Sequence, residues 1–207
     1  MLRLACRLLL EEALATVGSR VVEMTTSTGY VTPGLQQTDE FCGVAVGAEG
    51  FPFLVLFHQM EPDARQGSIH VALERGQQGR SSWRLDQMDL PSDIVQCKVL
   101  LFSPMVNTGG GECRAIETLC SLRVQESSIT LLSILCSTDS LVAICDRYPG
   151  KYIAPEGGFL SVVSHVFGRV INSGVHIITS GIDSKIDPET QAIIPGVGDF
   201  VARYNGV

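Results

Sequence analysis

The 207-residue sequence contains no apolar run that approaches the length of a membrane span. Its apolar stretches, such as 51–57, which Pro52 interrupts, and 99–102, are short, whereas a helix that crosses a bilayer needs about 20 residues. Positive charge is also scarce, because 15 Lys and Arg stand against 22 Asp and Glu, for a net charge of −7. Since general binding of nucleic acid requires a basic face, we expect neither a membrane span nor a direct nucleic-acid interface.

Cysteine pairs with the spacing of a redox or zinc site are missing as well. The seven cysteines are odd in number, include no Cys-x-x-Cys and lie mostly in apolar surroundings. The histidines are scattered singly, at His58, His70, His165 and His176. We expect reduced cysteines that pack as small hydrophobes in an intracellular protein, and no metal ligands.

The length and the 45% apolar content fit a single domain over residues 1–207. The first ten residues, MLRLACRLLL, are basic and free of acids, as in a mitochondrial presequence, but the pattern continues through Glu11 and Glu12. We therefore favour a structural helix over 3–15, with Leu4, Leu8 and Leu14 on one face. The expected compartment is the cytoplasm, with the mitochondrion as the alternative.

Patterns of strands and helices alternate along the chain. Helices are predicted from Pro52 to Met60, from Glu112 onward and over 141–148. The polar run 74–82 predicts a loop. An alternating pattern predicts a strand at 21–26, and short apolar runs predict strands at 41–46, 69–73, 98–102, 129–135 and 175–179. Such alternation predicts an α/β fold around a mostly parallel sheet.

Residues 150–174 differ from the rest of the chain and have the character of an inserted helix. Apolar residues recur at three- and four-residue steps over 159–171, which predicts a strongly amphipathic helix. Its apolar face packs either on the chain's own sheet or on a protein partner.

The segment that follows the strand at 98–102 has the composition of a phosphate-binding turn. Thr108 is followed by Gly109, Gly110 and Gly111, and a helical pattern begins near Glu112. Glycines let backbone N–H groups converge on phosphate oxygens, and the start of a helix adds partial positive charge. The alternative is that the glycines only permit a tight turn between strand and helix.

The loop sequence VLLFSPMVNTGGGE resembles the phosphoribosyl-pyrophosphate loop of uracil phosphoribosyltransferases. Further segments resemble that family in the same order: TTSTGY at 25–30, CGVAV at 42–46, LPSDI at 90–94, ITSGID at 178–183 and IIPGVGDFVARYNG at 193–206. The resemblance covers nearly the whole chain outside 150–174. It implies a type I phosphoribosyltransferase fold, which is a parallel sheet flanked by helices with a small hood, usually in a homodimer.

The resemblance also implies a reaction and a set of site residues. Members of the family join uracil to phosphoribosyl pyrophosphate with Mg²⁺ and release uridine monophosphate and pyrophosphate. Asp199 would lie near the ribose and the pyrophosphate as the candidate catalytic residue. The residues implied for phosphate and ribose are Ser103, Thr108, Gly109, Gly110 and Gly111, and those implied for uracil are Ile193, Gly198, Asp199 and Phe200.

Charged side chains of the family pattern are replaced at several positions. Ser103 stands where the family has the acid that engages the ribose hydroxyls, and Ala48 and Glu49 fall on an Arg-Ala pair whose arginine meets the pyrophosphate. Leu73 and Asp89 replace basic residues, and Ala202 replaces an acid. Three lost contacts at about 2 kcal/mol each correspond to roughly four orders of magnitude in rate or affinity.

Two hypotheses follow from these departures. The first is a non-catalytic relative that serves as a structural or regulatory subunit, in a homodimer or with other protein partners. The second is a working transferase of pyrimidine salvage that binds phosphoribosyl pyrophosphate or a nucleotide with Mg²⁺, and takes its cations from Arg75 or Arg80. An open pocket above Thr108 with cations nearby would favour the working transferase. A pocket filled by Phe51 or by the insertion would favour the non-catalytic relative. Trp83 is predicted to be a hood or interface residue rather than a stacking site for a base.

Overall fold

A computed structural model describes residues 2–15, 18–75, 81–149, 152–153 and 174–206. The predicted helix over 159–171 lies outside this part of the chain, as does Arg80. Among the described residues, no helix is both long enough and apolar enough to span a membrane.

Five helices and twelve strands make up the described fold. The helices are α1 (Leu2–Ala15), α2 (Phe51–Met60), α3 (Gly110–Ser121), α4 (Thr138–Arg147) and α5 (Phe200–Asn205). The first six strands are β1 (Ser19–Thr25), β2 (Val31–Gln37), β3 (Phe41–Val46), β4 (Arg65–Arg75), β5 (Ser81–Asp89) and β6 (Lys98–Phe102). The others are β7 (Met105–Val106), β8 (Ile129–Ser137), β9 (Tyr152–Ile153), β10 (His176–Asp183), β11 (Lys185–Ile186) and β12 (Ile193–Ile194).

The central sheet has eight strands in the order β5-β4-β3-β6-β8-β10-β9, with β7 also paired to β8. All neighbours in it are parallel except β4 and β5, which form an antiparallel hairpin at one edge. Two small antiparallel pairs, β1–β2 and β11–β12, stand outside it. The predicted α/β fold with a mostly parallel sheet is confirmed.

The direction in which the chain winds reverses between β3 and β6. From β3 the chain crosses through α2 to β4 on one side, and from β6 it crosses through α3 to β8 on the other. In sheets of this kind the two crossovers diverge at the carboxyl ends of the central strands and leave a crevice between them. The fold therefore places a crevice directly above Val46 and Phe102.

Apolar side chains cover both faces of the sheet. On one face, Val44 and Leu101 pack with Ile116 of α3 and Ile144 of α4. On the other face, Phe102 packs with Phe53 and Phe57 of α2, and its ring lies 5.6 Å from the Phe53 ring, centroid to centroid. The continuous apolar composition of β6 is explained by this burial on both sides.

Three predictions about individual elements differ from the described structure in the buried face or in the bounds. The buried face of α1 carries Cys6, Leu9, Leu10 and Ala13, whereas Leu4 and Leu8 are exposed, because the side of the helix that meets the sheet and α2 is rotated from the predicted one. The polar run 74–82 includes the ends of β4 and β5, since an edge hairpin that faces solvent needs few apolar residues. Helix α4 begins at Thr138 rather than 141, because the Ser137 hydroxyl accepts a hydrogen bond from the Ser140 backbone N–H at 2.9 Å.

The seven cysteines are free, and five of them are buried. Burial raises the pKa of the Cys136 thiol to about 12, so this thiol stays protonated and unreactive at neutral pH. The interpretation of the cysteines as small packing residues is confirmed for the described chain.

Candidate functional site

A cleft of about 950 Å³ opens at the carboxyl ends of β3 and β6, where the winding reverses. Its floor comes from the segments that follow these two strands, and the hairpin β4–β5 and the loop 188–191 form its sides. The residues that line it are Val46, Gly47, Ala48, Glu49, Val71, Leu73, Trp83, Ser103, Met105, Asn107, Thr108, Gly111, Glu112, Pro188, Glu189, Thr190 and Gln191. Among the described residues the cleft above Thr108 is open, and Phe51 does not line it; most of the insertion at 150–174 lies outside the described part of the chain.

The glycine turn joins β6 to α3 as predicted, and each glycine has a local reason. Gly109 has a φ of 75°, a left-handed conformation that side chains with a Cβ rarely adopt. A Cβ there would also lie 2.8 Å from the backbone oxygen of Ser140. The turn therefore needs glycine for its own packing, whether or not it binds phosphate.

The indole of Trp83 lies against this turn. A Cβ on Gly110 would lie 2.2 Å from Nε1 of Trp83, and one on Gly111 would lie 3.4 Å from Cζ3 of the same ring. The indole thus spans both glycines, and it also lines the cleft. The prediction that Trp83 belongs to the hood is consistent with its place on the β4–β5 hairpin, and its contact with the turn was not foreseen.

Ser103 is paired with a buried carboxyl group. Its hydroxyl donates a hydrogen bond of 2.7 Å to Oε1 of Glu112, which lies in the first turn of α3. Burial raises the pKa of the Glu112 carboxyl, and the charge of Glu49 adds to this effect, although the bond from Ser103 opposes it. A carboxyl therefore stands beside Ser103, but it comes from α3 rather than from the start of the loop.

The ionisable side chains of the cleft wall are all carboxyl groups. Glu49 is partly exposed, and partial burial together with the charge of Asp199 raises the pKa of its carboxyl. Oδ1 of Asn107 is buried without a hydrogen-bond partner among the described residues. Phosphate and pyrophosphate groups carry acceptor oxygens and negative charge, so they require donors and cations, whereas the ionisable side chains that line this wall are those of Glu49, Glu112 and Glu189.

None of the described lining residues is cationic, and several arginines are engaged elsewhere. Arg65 pairs with Glu40 and Asp93 near the opposite ends of the strands, at 2.5 Å and 2.6 Å. Arg84 pairs with Glu74 and Asp86, and Arg114 and Arg147 both pair with Glu117 on the outer surface of α3 and α4. The backbone of Arg75 ends β4, but its side chain lies outside the description, as does Arg80.

The residues implied for uracil binding lie in the C-terminal segment. The side chains of Ile193 and Phe200 are buried, so they pack into the fold. Asp199 caps α5, where its Oδ1 accepts a hydrogen bond of 2.9 Å from the Ala202 backbone N–H. Gly198 has a φ of 68°, and a Cβ on it would lie 3.7 Å from Nε of Arg203. The structure does not place these residues among those that line the cleft.

Within the described chain, no three His, Cys, Asp or Glu side chains converge in a way that could hold a metal ion.

Quenching of Trp83 fluorescence should report the sign of the charge in the cleft. Trp83 is the only tryptophan of the chain, and it shares the cleft with Glu49, Glu112 and Glu189. We expect iodide to quench Trp83 poorly and caesium to quench it well. The ratio of the caesium to the iodide quenching constant should be about three times the ratio measured for free N-acetyltryptophanamide. The difference should disappear at about 1 M salt, where charges are screened. Equal relative quenching by both ions at low salt would contradict a negative cleft.

The stability of the protein should depend on pH through Glu112. Its pKa is raised in the folded chain above the ordinary value of 4.5, so the folded state binds this proton more tightly than the unfolded state. The contribution of Glu112 to the free energy of unfolding therefore falls as the pH rises from about 4.5 through the raised pKa. Urea titrations between pH 4.5 and 8 should show that the free energy of unfolding falls less for Glu112→Gln than for the natural chain. The control Glu189→Gln, which changes an exposed carboxylate, should follow the natural chain, and a Glu112→Gln curve parallel to it would refute the assignment.

The family model described as uracil phosphoribosyltransferase matches residues 1–155. A uracil phosphoribosyltransferase of Dictyostelium discoideum is 28% identical over 204 residues, which cover 97% of this chain and 80% of that protein. The uracil phosphoribosyltransferase of Saccharomyces cerevisiae is 28% identical over 200 residues, which cover 96% of this chain and 79% of that protein. The chain also aligns with uridine kinase-like protein 3 of Arabidopsis thaliana, at 26% identity, but spans only 37% of its length.

Among solved structures, the AQ2163 protein of Aquifex aeolicus superposes with a TM-score of 0.68 at 19% sequence identity. The alignment covers 98% of this chain and 82% of that one. At this level of identity, the match supports the arrangement of strands and helices.

Proposed function

Since the chain belongs to the uracil phosphoribosyltransferase family, we propose that it keeps the family's fold but not its catalysis. In this proposal the protein is a structural or regulatory subunit rather than an enzyme. The observation that supports it is the wall of the cleft at the carboxyl ends of β3 and β6, where Glu49, Glu112 and Glu189 are present and no described residue is cationic.

The chemistry of phosphoribosyl transfer explains why this wall matters. The leaving pyrophosphate carries several negative charges, and positively charged groups that stabilise it in the transition state supply much of the rate. At Ala48 the chain has a methyl group where the resemblance implies a guanidinium, and at Glu49 a carboxylate adjoins it. Two charges of like sign repel each other most strongly where protein shields them from water, so the polyanionic substrate is disfavoured in the ground state and in the transition state.

A second candidate, an active transferase with Mg²⁺, is favoured by the open cleft and the retained turn at Thr108. In that case the hydroxyl of Ser103 would orient the ribose, and a basic side chain such as that of Arg75 or Arg80 would have to enter the cleft from the β4–β5 hairpin. Asp199 would act beside the ribose and the pyrophosphate.

An assay for uridine monophosphate separates the two candidates. Purified protein, uracil, phosphoribosyl pyrophosphate and Mg²⁺ are incubated, and the product is measured by chromatography, with an active transferase as the positive control. Our proposal expects turnover at least about four orders of magnitude below an ordinary enzymatic rate. Turnover within about tenfold of that control would reject it.

The proposed partner is a second copy of this chain, which would dock on the hairpin β1–β2. This hairpin pairs with no other described strand, and it exposes 70% of Val21 and 73% of Leu35, which face each other across the two strands. A hairpin that stands alone is only marginally stable, and apolar side chains on it gain stability when a partner covers them.

Light scattering during size-exclusion chromatography tests this assignment. The natural chain should elute as a dimer, and the variant Val21→Ser/Leu35→Ser should elute as a folded monomer. The control Leu4→Ser/Leu8→Ser, which changes exposed leucines of α1, should remain dimeric. A natural chain that is monomeric at about 100 μM, or a Val21→Ser/Leu35→Ser variant that stays dimeric, would contradict a contact at the hairpin.

A further inference from the structure

The glycine turn is covered by the indole of Trp83, which also lines the cleft. The ring edge lies so close to Gly110 that a single methyl group there would collide with it, at 2.2 Å from Nε1 and 2.5 Å from Cδ1. At Gly111 the contact continues on the six-membered ring, at 3.4 Å and 3.6 Å from a Cβ position. Two consecutive glycines therefore permit the approach of a side chain from the hood hairpin, which is a use other than binding a ligand.

A carboxyl group of the chain itself also lies at the turn. Glu112 is the third residue of α3 and is 8% exposed. Its Oε1 accepts the hydrogen bond of Ser103, and the carboxyl also bonds to the Glu112 backbone N–H. Backbone N–H groups in the first turn of a helix favour negative charge. One of the donors that an external anion would use is thus already bound to an internal one.

These two contacts together suggest what became of the ancestral binding turn. We propose that the turn is held closed by the chain's own side chains: Glu112 takes the place of an anionic ligand at the start of α3, and Trp83 packs over Gly110 and Gly111. This inference deepens the proposed function, on which it rests, because it assigns the loss of phosphate binding to named groups. The contact is autoinhibitory, since a phosphate must displace Glu112 and shift Trp83 before it can bind.

The closed turn differs in its effect from the missing cations. Ala48 and Glu49 weaken the attraction of the cleft for any polyanion, whereas Glu112 and Trp83 act on a single phosphate at the turn itself. The two effects are separable, because the first depends on residues after β3 and the second on residues of α3 and the hairpin. A variant that opens the turn is therefore expected to bind inorganic phosphate without regaining transferase activity.

The test is a titration of Glu112→Ala with inorganic phosphate, followed by the fluorescence of Trp83. Because Trp83 is the only tryptophan, its emission reports the turn directly. We expect saturable binding at least about tenfold tighter than in the natural chain, with a red shift as the indole moves toward water. Calorimetry on Trp83→Ala/Glu112→Ala should show binding at least as tight as in Glu112→Ala.

Glu189→Ala is the matched control, because it removes a carboxyl group from the same cleft at an exposed position. It should bind phosphate no more than about threefold tighter than the natural chain. If the affinity of Glu189→Ala for phosphate rises as much as that of Glu112→Ala, then the acidic character of the cleft in general, and not occupation of the turn by Glu112, weakens phosphate binding. Glu112→Gln keeps the side-chain volume and serves if Glu112→Ala does not fold, with an expected gain between those of Glu189→Ala and Glu112→Ala.

Three results overturn the inference. The first is phosphate binding in folded Glu112→Ala or Glu112→Gln that equals that of the natural chain, with folding checked by near-ultraviolet circular dichroism. The second is binding without any change in the emission of Trp83, which removes the indole from the account. The third is tight binding of phosphate by the natural chain. None of these results depends on the assay for uridine monophosphate, so the inference and the proposed function can fail separately.

Discussion

The variant Ala48→Arg/Glu49→Ala is expected to bind pyrophosphate about three orders of magnitude more tightly than the natural chain. The substitution removes a carboxylate from the wall of the cleft and supplies a guanidinium after β3, where the resemblance to the family implies an arginine. Each of the two changes is expected to contribute about 2 kcal/mol, as is typical of a charge-assisted contact. Isothermal titration calorimetry at about 0.1 M salt measures the effect.

A matched variant distinguishes local contacts from a change in total charge. Ala143→Arg/Asp146→Ala alters the net charge by the same amount on the outer face of α4, where both residues are not buried. Its affinity for pyrophosphate should stay within about threefold of the natural chain. Equal gains in the two variants would show that the cleft has no special role, and no gain in Ala48→Arg/Glu49→Ala would show that the positions after β3 do not face the ligand.

Phe102→Ala should lower the free energy of unfolding by about 3–5 kcal/mol. The Phe102 ring is fully buried under α2, with the rings of Phe53 and Phe57 at 5.6 Å and 5.7 Å, centroid to centroid. Its removal leaves a cavity directly below Ser103, so the floor of the cleft should loosen with the core. Urea titration followed by circular dichroism measures the loss.

The control for this variant is Phe51→Ala in the first turn of α2. Phe51 is 41% exposed, so its truncation should cost about 1 kcal/mol or less. If Phe102→Ala loses no more free energy of unfolding than Phe51→Ala, then Phe53, Phe57 and Phe102 do not form a packed cluster.

The framework of the candidate site could be predicted from the sequence because its signals are local. Strand β6 has the continuous apolar composition of a strand covered on both faces, and its predicted bounds, 98–102, are confirmed. The glycine turn and the start of α3 follow from residues that are adjacent in the chain. The strands 41–46 and 129–135 are confirmed for the same reason, although β8 continues to Ser137.

The sequence patterns that indicate strands are weaker in the two antiparallel hairpins. In β5, Trp83 and Leu85 are half-buried while their neighbours Ser82, Arg84 and Asp86 are exposed, so a run that looks polar is a strand at the edge of the sheet. Strand β2 contains Pro33 and Gly34, which are typical of turns. A strand that forms an isolated hairpin tolerates them, since Pro33 needs no further ladder partner.

Two contacts of the site could not be predicted from neighbouring residues: that of Trp83 with Gly110, which is long-range, and that of Glu112 with Ser103, which depends on the direction of a side chain. Trp83 and Gly110 are brought together only when the hairpin packs against α3. Glu112 was predicted only as the start of a helix, and nothing in its neighbours indicates that its carboxyl returns to Ser103. An acid among the otherwise apolar and small residues of a buried helix face was the available signal. The sequence therefore indicated which family groups were replaced, but not which groups now cover the turn.

The most direct test of the central claim is a calorimetric titration of the natural chain with phosphoribosyl pyrophosphate in the presence of Mg²⁺. We expect no saturable heat up to about 1 mM ligand, because the proposed loss of contacts to the polyanion amounts to about 6 kcal/mol. Saturable binding with a Kd of about 10 μM or lower would contradict it, and would mean that cations from another part of the chain complete the cleft.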